Sequence, residues 1–209
     1  MQKINSSSTG KGARKKISGC RFSLSVMSDD YISIILKAIK SVNTQNVWST
    51  TDALSTVYRG MRVHVVDALK CFFVNAHDDS THMGLEATFS RGSPADTDED
   101  CVFADSVERL NQTDKKFPAI CKIAFYTLGV VEYQEHIAYA INLAEKRGVL
   151  ERVSHYAYEL VGDINELFDH FGEVMAYAEE NIKHYVLQVT LSVNSPTKSA
   201  LSRFEQYAE

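Results

Sequence analysis

The stretch HYVLQVTLSVNSP, residues 184–196, repeats the alternation of apolar and polar residues in HMGLEATFSRGSP, residues 82–94. The upstream segments match too, because CRFSLSV begins at Cys20 and CKIAFYT begins at Cys121. The two cysteines are 101 residues apart, and the histidines that open the quoted stretches are 102 apart, so one inserted residue separates the two registers. Self-similarity over such a length indicates a tandem duplication of one structural unit.

Within each unit the apolar periodicity changes in the order strand, helix, strand, strand, helix, strand. The first unit is predicted to have a strand from Cys20, a helix from Tyr31 behind the capping residues Ser28, Asp29 and Asp30, strands over 46–51 and 53–59, a helix over 63–75 and a strand from His82. The second is predicted to have a strand over 120–128, a helix over 131–146, two strands around His155, a helix opened by Asp163 with Glu166 in a capping box, and a strand from His184.

The order βαββαβ is that of the ferredoxin-like fold, an antiparallel sheet with both helices on one face. We therefore predict an α+β protein of two tandem ferredoxin-like, ACT-like repeats. The predicted divisions are a disordered basic leader (1–19), repeat 1 (20–97), a linker (98–119), repeat 2 (120–197) and a C-terminal tail (198–209). Because each repeat alone is small for a stable core, we expect the two sheets to pack on each other or on a second chain.

Alternation also predicts which residues face away from the helices. In the two closing strands this open face carries Glu86 and Thr88 in repeat 1, and Gln188 and Thr190 in repeat 2. Polar groups near an interface must be hydrogen-bonded. These groups either satisfy one another and water, or they line a small-molecule pocket.

Composition limits the classes of function. The chain has 209 residues, is 44% hydrophobic and has a net charge of −5, as globular proteins do. No segment approaches the roughly 20 apolar residues of a membrane span, and residues 1–19 lack the apolar core of a secretory signal. That leader is basic and rich in Ser and Gly, so we expect disorder. A transit peptide or a nucleic-acid arm is an alternative, which the acidic body of the protein disfavours.

Motifs for catalysis or metal binding are missing from the sequence. There is no phosphate-binding loop, dinucleotide-binding glycine motif, nucleophile elbow or zinc-protease helix. The cysteines, Cys20, Cys71, Cys101 and Cys121, lack metal-ligand spacing and are expected to be reduced and structural. We therefore predict that the protein is not an enzyme and uses no metal and no cofactor.

Four segments carry a resemblance to a known family. They are CRFSLSVMSDDYISII (20–35), WSTTDALSTVYRG (48–60), HMGLEATFSRGSPAD (82–96) and HYAYELVGDINELF (155–168). Together they resemble the YkoF family, tandem-repeat proteins that bind thiamine and its hydroxymethylpyrimidine moiety. The resemblance implies a cytoplasmic homodimer with a role in thiamine-precursor salvage. It also implies one ligand pocket per repeat, around the turn between the first strand and the first helix.

An aminopyrimidine presents an amine donor beside ring-nitrogen acceptors, and its flat ring favours an apolar or aromatic surface. In repeat 1 the expected ligand-binding residues are Ser23, Met27, Ser28, Asp29, Asp30, Ser55, Thr56, Glu86 and Thr88; in repeat 2 they are Tyr126, Tyr156, Glu159, Gln188 and Thr190. The thiazolium cation of thiamine would favour a carboxylate or the aromatic faces of Trp48 or Tyr31.

Three alternatives remain open. The first is an ACT-like regulatory module for another small metabolite, since fold alone does not determine function. The second is an enzyme of thiamine or pyrimidine metabolism that uses Glu86 or Glu159 as a base. The third is nucleic-acid binding through the basic leader, which would weaken steeply with added salt.

Overall fold

The computed structural model describes residues 17–91, 106–113 and 115–197. Repeat 1 contains β1 (Ile17–Val26), α1 (Tyr31–Ser41), β2 (Val47–Thr51), β3 (Thr56–Met61), α2 (Arg62–Ala76) and β4 (Met83–Arg91). Repeat 2 contains β5 (Pro118–Leu128), α3 (Tyr133–Lys146), β6 (Leu150–Ser154), β7 (Ala157–Asp163), α4 (Ile164–Asn181) and β8 (His184–Val193). The predicted α+β class and the two βαββαβ repeats are confirmed. Most of the predicted leader and all of the tail lie outside the described residues.

The eight strands form one antiparallel sheet in the order β2-β3-β1-β4-β8-β5-β7-β6. The two closing strands, β4 and β8, pair with each other and place Leu85 opposite Leu191. Our expectation that the two sheets pack on each other is therefore wrong, because they join edge to edge. In a lone repeat the closing strand would be a sheet edge with unpaired backbone groups, and the β4–β8 pairing removes both edges at once.

One face of this sheet carries the core. Along β4, Met83, Leu85, Ala87 and Phe89 are all buried, as the alternation predicts. Paired residues share a face, so the buried Leu85 and Leu191 place the helices of both repeats on the same side. Helix α2 packs against both α1 and α4 and is buried around most of its circumference. None of the helices in the described residues covers the opposite, open face of the sheet, on which Ile17 and Arg59 are nevertheless buried.

Local sequence explains where two helices begin. The Asp163 carboxylate accepts a hydrogen bond from Asn165 N at 3.0 Å and caps α4, which confirms Asp163 as the residue that opens this helix. Among the described residues no hydrogen bond joins Glu166 to the Asp163 N–H, so the predicted capping box is not formed. At α1 the side chain of Asp30 makes no capping hydrogen bond, so the predicted cap is wrong there. Ser28 instead closes the preceding turn, with its Oγ accepting from Asp30 N at 3.2 Å.

A glycine at matching positions of β3 and β7 has a packing reason. A Cβ at Gly60 would lie 2.8 Å from the backbone oxygen of Asn46, and one at Gly162 would lie 2.9 Å from Val149 Cγ1. Both distances are too short for an unstrained contact. Glycine is therefore needed at both positions, because β3 passes close to the residue before β2 and β7 passes close to the residue before β6.

A polar network ties repeat 1 to α4 of repeat 2. The Glu179 carboxylate accepts hydrogen bonds from Ser18 Oγ at 2.8 Å and from Arg62 Nε at 3.1 Å. Arg91 donates to the Glu179 backbone oxygen at 2.8 Å, and Arg62 also reaches the Gly172 backbone oxygen at 3.0 Å. These contacts supplement the β4–β8 pairing and hold the two repeats in one orientation.

The described part of the linker is fastened across α2. Asp67 Oδ2 accepts hydrogen bonds from the backbone N–H of Leu110 and Asn111, at 3.1 and 3.0 Å, and from Asn111 Nδ2 at 2.9 Å. His64 Nε2 lies 2.9 Å from the Ser106 backbone oxygen. Residues 106–111 therefore lie against α2, on the covered side of the sheet.

Candidate functional site

The centre of the open face brings five of the predicted ligand-binding residues together. Glu86 on β4 pairs with Ser23 on β1 and with Thr190 on β8, while Thr88 pairs with Gln188. Paired residues on neighbouring strands have Cβ atoms about 5 Å apart, within reach of one small ligand. We call Ser23, Glu86, Thr88, Gln188 and Thr190 the central polar patch.

Within the central polar patch, Glu86 is an exposed carboxylate. Among the described residues no hydrogen bond or ion pair involves it. The Ser23 and Thr190 hydroxyls, which can donate or accept, lie on either side of it along the row. This row combines a strong anionic acceptor with two hydroxyls, so it can read a ligand edge that carries an amine beside a ring nitrogen.

Glu159 lies in a different electrostatic environment. It accepts two hydrogen bonds from Arg152, at 2.7 and 2.9 Å, and forms an ion pair with Lys122 at 3.0 Å. Its side chain is only 14% exposed. The hydrogen bonds from Arg152, and after them the one from Lys122, lower the pKa of Glu159 to about 2. This carboxylate stays ionised and paired, so it is a weak base.

The turn between β1 and α1 lies at the end of the sheet near Glu86. Met27 N donates to the His82 backbone oxygen at 3.0 Å, which ties this turn to the start of β4. The predicted residues Met27, Ser28, Asp29 and Asp30 therefore form the rim at one end of the open sheet. Ser55 lies at the start of β3, at the same end, because the next residue, Thr56, pairs with Phe22.

Two predicted residues lie apart from the central polar patch. Thr56 pairs with the buried Phe22 and so faces the helices, where its Oγ1 is 2.9 Å from Thr51 Oγ1. Tyr156 is at the tip of the β6–β7 hairpin, 94% exposed and with a φ of 64°. Tyr126 is on the open face beside Val186, further along the sheet. The sequence could not show which of these residues lie near the central polar patch, because that depends on how the strands pair.

The two repeats place their site residues at opposite ends of the sheet. Strands β1 and β5 are three pairings apart, and every pairing is antiparallel, so they run in opposite directions. The end of β1 and the start of β3 mark the site of repeat 1, and the end of β5 and the start of β7 mark that of repeat 2. One candidate site per repeat results, and both extend to the central polar patch.

Trp48, expected to take the thiazolium cation, already faces a cation of this chain. The guanidinium carbon of Arg59 is 6.0 Å from the centre of the Trp48 ring. A second cation there would meet electrostatic repulsion. Tyr31 remains 49% exposed at the start of α1 and is the aromatic surface better placed for a ligand at the β1–α1 turn.

Other candidate chemistry is sparse in the described part of the chain. Cys20, Cys71 and Cys121 are buried and unpaired, and burial raises the pKa of each thiol. No cluster of three or more metal-ligating side chains occurs in ranges 17–91, 106–113 and 115–197. None of the helices seen in those ranges is long and apolar enough to cross a membrane.

Fold and site together define a class: tandem ferredoxin-like repeats joined into one sheet, with a polar open face. The model of the YKOF-related family matches residues 17–96 and 118–198. A protein of Bacillus subtilis (strain 168), named "Putative HMP/thiamine-binding protein YkoF", is 37% identical over 186 residues, which are 88% of this chain and 93% of that protein. The chain belongs to the YKOF-related family.

Proposed function

We propose that this protein binds thiamine or its hydroxymethylpyrimidine moiety on the open sheet face and does not transform it. Membership of the family and the name of the B. subtilis relative support a thiamine-related ligand. The observation that carries the proposal is Glu86, an exposed carboxylate that lacks a partner among the described residues and lies between two hydroxyl side chains. The cellular role that follows is thiamine-precursor salvage in the cytoplasm.

The chemistry of the ligand matches this row of side chains. The exocyclic amine of the pyrimidine donates to the Glu86 carboxylate, and the hydroxyls of Ser23 and Thr190 donate to ring nitrogens. If a ring nitrogen is protonated, the same carboxylate forms a charge-assisted hydrogen bond, which is about twice as strong as a neutral one. The ring then rests on the sheet near the rim formed by Met27 and the following turn.

The geometry favours binding over catalysis. Glu159 is a poor general base because its pKa is lowered to about 2. His82 Nε2 lies 3.2 Å from Ser192 Oγ, but in the described residues no carboxylate contacts the second nitrogen of that ring. The arrangement therefore lacks the third group that orients the base in a catalytic triad.

The proposal includes a homodimer that packs through the open faces. A sheet with one uncovered face usually packs against another layer, and polar side chains at such an interface can line ligand sites. Residues 106–111 lie against α2 on the helical side, so this part of the linker does not obstruct the packing. The ligand would then lie between the sheet of one subunit and that of the other.

Isothermal titration with hydroxymethylpyrimidine, and separately with thiamine, tests the proposal. Glu86→Gln keeps the shape and removes the charge, so binding should weaken by about tenfold or more, the value of a hydrogen bond to a charged group. The matched control is Glu145→Gln, an exposed glutamate on α3 that should leave affinity unchanged. Analysis of the recovered ligand should show no product. Unchanged affinity in Glu86→Gln, or conversion of the ligand, would contradict the proposal.

A further inference from the structure

The open face of repeat 2 carries two cations fixed over one carboxylate. Arg152 and Lys122 both bond to Glu159, and their side chains remain 65% and 55% exposed, whereas Glu159 is 14% exposed. The carboxylate is therefore more buried than the two cations, whose side chains face solvent, and the second carboxylate that acts on Arg152 is that of its chain neighbour Glu151. The three groups together have a charge of +1.

This cluster keeps unused hydrogen-bond donors. A guanidinium has five N–H donors and an ammonium has three. Arg152 uses its Nε and Nη2 on Glu159, and Lys122 makes one ion pair there. The remaining donors belong to two cations that Glu159 holds in place at the surface. A planar guanidinium beside an ammonium is a favourable arrangement for a phosphate group.

Repeat 1 has no such cluster at the equivalent positions. The residue that corresponds to Glu159, 102 positions earlier, is Val57, and the one that corresponds to Arg152 is Thr50. Lys122 corresponds to Arg21, 101 positions earlier, so repeat 1 keeps one of the two cations and lacks the carboxylate between them. In the closing strands the relation is reversed, because Glu86 in repeat 1 corresponds to Gln188 in repeat 2. The two repeats have therefore diverged: only repeat 2 holds two cations on one carboxylate, and only repeat 1 has a carboxylate in its closing strand.

We propose that repeat 2 binds a phosphate monoester of the same pyrimidine, with Arg152 and Lys122 on the phosphate, while repeat 1 binds the unphosphorylated compound. The ligand class rests on the proposed function, but the anion site rests on the cluster alone. Phosphate carries negative charge and oxygen acceptors only, so it matches the unused donors of the two cations. The two repeats would then bind two chemical forms of one ligand, with and without the phosphate group.

The test is isothermal titration of the full chain with hydroxymethylpyrimidine phosphate, hydroxymethylpyrimidine and inorganic phosphate, at low and at high salt. The monoester should bind at a site that is lost in Arg152→Gln and weakened in Lys122→Gln, and it should bind less tightly at high salt. Both substitutions are at exposed positions, and thermal melts will show that the variants fold. Glu145→Gln, at an exposed position on α3, should leave this site intact. Inorganic phosphate should compete weakly with the monoester.

The outcomes separate this inference from the proposed function. If the monoester binds no more tightly than the parent pyrimidine, or if both cation variants bind it normally, the anion site is refuted while binding in repeat 1 can still hold. If the pyrimidine does not bind but the monoester binds through Arg152, the anion site stands and the proposed function fails. Competition by inorganic phosphate as strong as the monoester itself would refute recognition of the pyrimidine in repeat 2.

Discussion

Two carboxylates on the same sheet face, Glu86 and Glu159, differ because of their cross-strand neighbours. Glu86 lies between hydroxyl residues, whereas Glu159 faces Lys122 on one side and Arg152 on the other. The sequence predicted both as ligand-binding residues because each supplies a carboxylate that could bind the edge of an aminopyrimidine. It could not predict the ion pairs, since these depend on which strands are neighbours and in what register. The charge of a site on a sheet therefore depends on the tertiary structure and not on the local sequence alone.

A buried histidine should make stability depend on pH. Burial, and secondarily Arg147, lowers the pKa of His170 to about 4, compared with about 6.5 in an unfolded chain. Below pH 6.5 the unfolded chain takes up the proton first, so stability should fall between about pH 6.5 and 4, by on the order of 3 kcal/mol. Urea denaturation across this range should show a smaller loss in His170→Gln. Parallel losses in the two proteins would contradict the assignment.

The cap of α4 should have a measurable energy. Asp163→Ala removes the hydrogen bond to Asn165 N and the negative charge at the helix N-terminus. We expect the free energy of unfolding to fall by about 1 kcal/mol, with Asp163→Asn largely retaining stability. Chemical denaturation measures both. An alanine variant as stable as the natural chain would show that the cap contributes nothing.

At the scale of elements, the sequence predicted the order of strands and helices well, because period-2 and period-3.6 patterns are local. The open and covered residues of β4 and β8 also agree with the alternation. The pairing of these two strands with each other was not predictable, because an edge strand and a central strand read alike when only one face is apolar. The same limit explains why Thr56, assigned to a pocket, faces the helices.

The crowded glycines give a prediction for the hairpins. In Gly60→Ala the new Cβ would meet the Asn46 backbone oxygen, which cannot move as a flexible side chain does. We expect a loss of about 1–3 kcal/mol in the free energy of unfolding, as for other overpacked sites. The control is Gly84→Ala, where no atom lies within 4 Å of the added Cβ. Equal stability of the two variants would exclude the close approach.

At the scale of the whole molecule, the two repeats act as one body because a continuous sheet and a polar network join them. Glu179→Ala removes the acceptor for Ser18 and Arg62. We expect a loss of about 1–3 kcal/mol, because these donors lose their partner in a partly buried position. In the natural chain, probes placed in each repeat should report a single cooperative unfolding transition. Independent unfolding of the two repeats in the natural chain would contradict this coupling.

The open face places the Glu86 carboxylate and the cluster of Lys122, Glu159 and Arg152 in one row across the sheet, because Thr190 pairs with both Glu86 and Lys122. The proposed ligand binding and the proposed dimer both depend on this face. Sedimentation of the purified chain should give a dimer if the uncovered sheets pack together. A monomer would leave the polar face solvated and would limit the ligand to contacts from a single sheet. The charge difference between the sites would be unaffected.

The most direct test of ligand binding on the open face is chemical-shift mapping by NMR on the labelled protein, titrated with hydroxymethylpyrimidine. We predict that the largest backbone shifts fall on β1 and β4, around Ser23, Glu86 and Thr88, and at the turn after Met27. In Glu86→Gln the same shifts should need about tenfold more ligand to appear. Shifts confined to the helical side, or no shifts at saturating ligand, would contradict binding at the open face of the sheet.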